Sequence, residues 1–123
     1  HDLARLDFGG GRPGISLFDS RGKSSPFLFE LVERHPLGSQ AFIPVDGVPY
    51  LVLVAEDNYG APARLKAFVA QPGQSVNIYR NVWHGVLTPI DAPGKYVVVD
   101  RIGEEDNLEE HWFDTPFTIT NHA

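Results

Sequence analysis

The chain has 123 residues, 42% of them hydrophobic and 21% charged, which is the balance of one folded domain rather than of a disordered segment. Sixteen acidic against ten basic residues leave a net charge of −6, which disfavours nucleic acid or an anionic membrane as partner and favours a small substrate. The absence of cysteine excludes disulfides, thiolate nucleophiles and Cys-ligated zinc, so a metal would need His and oxygen ligands.

The first residues, HDLARLDF, have neither the basic end nor the apolar run of a signal peptide, and no later stretch approaches the ~20 apolar residues of a membrane span. A cytoplasmic protein is expected. Gly9, Gly11 and Gly14 spell G-x-G-x-x-G, but that fingerprint needs a strand before it and a helix after it, whereas Pro13 and the strand-like ISLF follow here. The segment reads as a loop. Next come short runs rich in Val, Ile, Phe, Leu and Tyr between turn signals: ISLF, PFLFELVERH, QAFIPV, YLVLVA, LKAFVA, SVNIY, HGVLTPI and KYVVVDRI. Their spacing predicts an all-β antiparallel barrel or sandwich over a single domain, residues 1–123. The best helical candidate is a short turn over Asn107 to Phe113, capped by Asp106 or Asn107.

Strand alternation puts Phe27, Phe29, Leu31, Glu33 and His35 on one side of FLFELVERH, and Leu28, Glu30, Val32 and Arg34 on the other. If Phe29 and Leu31 point into a barrel, Glu33 and His35 meet at its mouth, where a carboxylate and an imidazole need pairing, a metal or water.

Glu33, His35, then four residues, Gln40, then six residues, Gly47, follow the register of the first cupin motif, with Glu33 in place of its first His and Gln40 in place of its Glu. In YRNVWH, Tyr79 and Asn81 take the places of the Pro and Gly of the second motif, and His84 that of its closing His. The chain thus resembles the cupins, which implies a jelly-roll barrel with short helical turns that brings His35 and His84 together. Over a longer span, ERHPLGSQAFIP, GQSVNIYRNVWH, VVVDR and NLEE resemble the ureidoglycolate lyase family. Members carry a further N-terminal segment ahead of the HDLA region, and some read WHH where Gly85 follows His84 here.

That resemblance implies elimination of urea from ureidoglycolate to give glyoxylate. His84, His35 and Glu33 are the expected catalytic groups, and a divalent metal (Ni, Mn or Zn) on His35, His84 and Gln40 the expected cofactor, with no organic cofactor. The substrate carboxylate calls for a cation. Arg80 and Lys66 rank first, ahead of Arg34 and Arg101, while Gln40, Tyr79 and Asn77 are candidates for the ureido group. His1, His111 and His122 lie outside the motifs and are expected at the surface. A homodimer is expected, as cupin barrels often pair through sheet edges. The competing readings are another metal-dependent cupin enzyme and a non-catalytic ligand-binding cupin.

Overall fold

β-Branched and aromatic runs separated by Gly, Pro and Asn turns fold as pleated strands that each bury one face or two. In the computed structural model, which describes residues 1–120, the strands are β1 (Arg12–Ser20), β2 (Phe27–Arg34), β3 (Gln40–Pro44), β4 (Tyr50–Asn58) and β5 (Ala61–Ala70). Then follow β6 (Val76–Ile78), β7 (Trp83–His84), β8 (Thr88–Pro89), β9 (Gly94–Ile102) and β10 (Glu109–Ile119). They form two antiparallel sheets, one ordered β1-β9-β3-β6 and the other β10-β2-β7-β4-β5 with β8 added on β4. The second sheet curls, bringing β10 against β5, so the whole is a β-barrel of the expected cupin type.

YLVLVA reads as an unbroken apolar run because β4 is buried on both faces. Tyr50, Val52 and Val54 join Phe42, Tyr96 and Val98 between the two sheets. Leu51, Leu53 and Ala55 point the other way, into a second core with Phe27, Phe29, Val32 and Trp83.

Two expectations are corrected. No helical turn forms over Asn107 to Phe113, and among the described residues there is no helix at all. Asn107 is committed to tertiary bonds, its side chain accepting from the Leu37 amide and its carbonyl facing His35. From Glu109 the chain pairs with β2, and aromatic and β-branched residues win over a short capped helix. Nor does β2 alternate regularly. Its register against β10 breaks between the Phe29–Phe117 and Leu31–Trp112 pairs, and Phe29 packs with Val32 instead of opposite it. His111 is half-buried with its ring against Trp83, and His122 lies outside the described residues.

Gly85, directly after His84, has no room for a side chain. A Cβ there would lie 2.7 Å from a Phe29 ring carbon and 3.2 Å from Leu53 Cβ, both on buried side chains. Gly85→Ala is therefore expected to destabilise the fold by roughly 1–3 kcal/mol through overpacking, read as a lower denaturant midpoint.

Candidate active site

The site is assembled by strand pairing. Glu33 of β2 lies directly opposite His84 of β7, and directly opposed residues in an antiparallel pair project from the same face. His35 follows at the end of β2, where Pro36 stops the strand and the Asn81 amide donates to the His35 carbonyl at 3.0 Å. Asn81 has φ 65°, a left-handed conformation that Asn tolerates better than most residues. That explains how it fills the place of a motif glycine. One ligand atom from each of Glu33, His35 and His84 lies within 4.8 Å of the others, and the two imidazole rings are 5.2 Å apart.

Hydrogen bonding fixes which atoms face inward. The His84 ring turns Nδ1 toward the Gly85 carbonyl at 3.0 Å, so the proton sits there and Nε2 keeps its lone pair. That Nε2 is buried without a partner. Burial pushes the His84 pKa down to about 4, the Gly85 carbonyl opposes the shift and His35 adds to it, so the ring is neutral near pH 7. His35 likewise turns Nδ1 to the Asn107 carbonyl at 2.8 Å, and its Nε2 lies 3.1 Å from Gln40 Oε1. Gln40 Nε2 donates to Asp100 Oδ2 at 3.2 Å. Glu33 Oε1 is 4.0 Å from His35 Nε2, and burial raises the Glu33 pKa, opposed by His35 and reinforced by Glu110.

Neutral His35 would leave two lone pairs, its own Nε2 and Gln40 Oε1, facing each other at 3.1 Å. Such a contact is satisfied only by positive charge between or on them, either a proton on His35 or a cation. With the unpartnered His84 Nε2 beside them, the donor set fits a divalent ion that accepts imidazole and oxygen ligands. Glu33, Gln40 and His84 line a cleft of about 500 Å³ that is completed by Leu17, Phe18 and Asp19 of β1. A larger cleft of about 710 Å³ beside β5 and β6 is mainly apolar and holds none of this chemistry.

The other sequence candidates are placed as follows. Arg80 is turned away, its guanidinium held by Asp7 at 2.8 and 2.9 Å. Asn77 donates to the Ala4 carbonyl, and Tyr79 is exposed along the apolar clefts. Arg34 bridges Asp57 and Glu109 over the Trp83 ring on the opposite face, and buried Arg101 pairs with Glu105. Lys66 is exposed, but it opposes Val54, which opposes His84, so all three project from one face of the sheet. Asp100 and Asn107 were missed. Both stand in motifs, VVVDR and NLEE, but only the pairing of β9 with β3 and the fold of the β9–β10 loop aim them at the site.

The sequence model described as ureidoglycolate lyase matches residues 1–120. A Rhodobacter capsulatus protein named ureidoglycolate lyase is 62% identical over 97% of this chain and 74% of its own length. A Rhizobium meliloti protein named ureidoglycolate lyase 2 is 50% identical over 97% of this chain and 74% of its own. Among solved structures, vicilin from tomato superposes with a TM-score of 0.55 over 85% of this chain and 27% of its own, at 16% identity, a likeness of fold alone.

Burial of neutral His84 links stability to pH. Its folded pKa of about 4 lies below the ordinary 6.5, so the unfolded chain binds more protons between those values. The contribution is complete above pH 6.5 and is lost as pH falls toward 4, by at most ~3 kcal/mol. Glu33 works in the opposite sense, since its raised pKa favours the folded state as its carboxyl protonates. Urea denaturation across that range is expected to give a steeper acid-side loss in the wild type than in His84→Leu.

Proposed function

The chain belongs to the ureidoglycolate lyase family, and from that premise we propose that it splits ureidoglycolate into glyoxylate and urea. The observation that carries the chemistry is the convergence of Glu33, His35 and His84, one ligand atom of each within 4.8 Å of the others, beside the cleft that Glu33 and His84 line.

The substrate carbon bears a hydroxyl, a carboxylate and the urea nitrogen. As the C–N bond breaks and the hydroxyl becomes a carbonyl, one proton must leave oxygen and one must reach nitrogen. A single residue can perform both transfers. Glu33 suits that task, because burial raises its proton affinity and its carboxylate stands clear of the tighter His35–Gln40 contact. In this reading the Glu33 carboxylate takes the hydroxyl proton and returns it to the departing nitrogen, leaving the enzyme unchanged. Transfers of this kind each contribute about 10²- to 10⁴-fold.

His35, His84 and Gln40 would hold a divalent ion, with Mn, Ni and Zn all compatible with two imidazoles and an amide oxygen. Such an ion supplies charge for the substrate carboxylate and acidity for the hydroxyl. The need is physical. The cleft presents Glu33 and Asp19 with neither Lys nor Arg among its lining residues, so an organic anion would otherwise meet repulsion. Lys66, outside the cleft lining but projecting from the same face of the sheet as His84, is the candidate for a second contact to the carboxylate. A homodimer fits the exposed Ile15 and Leu17 on the edge strand β1.

Purified protein is expected to release glyoxylate and urea from ureidoglycolate, and chelation followed by divalent-ion addition to abolish and restore the release. His84→Ala should lower kcat/KM by at least about 10²-fold while retaining the fold, and wild-type turnover in that variant removes His84 from the mechanism. Lys66→Ala is expected to raise KM about 10-fold with kcat little changed, as for loss of one charged hydrogen bond.

A further inference from the structure

We propose that Asp100 is a positioning residue that decides which end of the Gln40 amide faces the cleft, an inference that rests on reading this cleft as the lyase site. A primary amide is nearly symmetric in shape and opposite in hydrogen-bonding sense at its two ends. Nothing in the Gln40 backbone selects one end over the other. Selection comes from the neighbouring strand, where Asp100 lies directly opposite Gln40 and projects from the same face of the sheet.

The Asp100 carboxylate offers only acceptors, and Gln40 Nε2 donates to it at 3.2 Å. Oε1 is thereby left 3.1 Å from His35 Nε2. If the amide rotated by half a turn, Oε1 would face the Asp100 carboxylate and the NH2 group would cap the His35 lone pair. The site would lose Gln40 Oε1 as an acceptor, and with a neutral His35 its Nε2 as well. Gln40 is only 7% exposed, so water does not readily replace the Asp100 bond. Arg101, the next residue on β9, is engaged by Glu105, so Asp100 is left to Gln40 instead of pairing with its cationic neighbour.

The lock also accounts for an amide where the cupin pattern has a glutamate. A carboxylate at position 40 would stand against the Asp100 carboxylate, whereas an amide turns a donor toward it and keeps an oxygen toward the cleft.

Asp100→Leu is expected to lower kcat/KM for ureidoglycolate about 10- to 100-fold, the usual cost of losing a partner that orients a site ligand. In a Gln40→Leu background the same substitution should cost nothing further, because the residue it acts through is gone. The exchange variant Asp100→Asn with Gln40→Glu reverses the hydrogen bond and still presents an oxygen, so its turnover should exceed that of Asp100→Leu. The lock is read apart from turnover by NMR, the Gln40 side-chain amide protons exchanging slowly with solvent in the wild type and rapidly in Asp100→Leu. Equal losses with and without Gln40, an exchange variant as inactive as Asp100→Leu, or a Gln40 amide that exchanges alike in both proteins overturns the proposal. A wild type with a protected Gln40 amide and no turnover of ureidoglycolate upholds the lock and defeats the functional reading instead.

Discussion

Acceptor atoms crowd one end of the barrel, and the positive charge they require governs most of what surrounds them. His35 Nε2 and Gln40 Oε1 face each other at 3.1 Å, with the buried Nε2 of His84 close by. Each is held in that sense by a partner on its far side: the Asn107 carbonyl for His35, Asp100 for Gln40 and the Gly85 carbonyl for His84. Two of these contacts turn an acceptor inward, Gln40 Oε1 and His84 Nε2, and the third fixes which nitrogen of His35 meets Gln40. An unpaired buried acceptor costs roughly 1–3 kcal/mol, and His84 Nε2 is one, so the arrangement favours a cation beside it.

This arrangement depends on rigid strands behind it. His84 belongs to a two-residue strand that is wedged between β2 and β4. A strand so short gains little from its own ladder. Its neighbour Trp83 supplies the anchorage, fully buried on the other face, donating from its indole nitrogen to Asp57 at 3.0 Å beneath the Arg34 guanidinium. Arg34 in turn ties Asp57 to Glu109 of β10. Consecutive residues of β2 and β7 therefore divide the labour, with Glu33 and His84 toward the cleft and Arg34 and Trp83 behind it.

Strand periodicity and turn residues were enough to read an all-β barrel or sandwich, whereas the meeting of His35 with His84 was implied by the resemblance to the cupin motifs. β10 was less legible. Its residues pair only through long-range contact with β2, and Asp106 or Asn107 before acidic residues is also a helix-start signal. The break in β2 between Phe29 and Leu31 was hidden for a similar reason, since regular alternation is the default in the absence of the partner strand. Arg80 illustrates the limit of motif reasoning. It sits inside the most recognisable segment, yet Asp7, far away in sequence, sets where its guanidinium goes. Asp100 shows the converse, a residue that does not stand out within VVVDR, which the pairing of β9 with β3 delivers to Gln40.

Charge then connects the site to its substrate. The protein carries a net charge of −6, and the cleft adds to that negative field with Glu33 and Asp19. An organic acid approaching it is opposed both at long range and on contact. A site built only of proton carriers would suffer from this, because raising the number of carboxylates improves proton transfer and worsens anion binding. Neutral ligands resolve the conflict. Neutral imidazoles and an amide bring no charge of their own, so a divalent ion held by them would keep its positive charge largely available to the substrate. Glutamine at position 40 is consistent with that logic: a carboxylate there would cancel part of the charge that such an ion would offer the substrate.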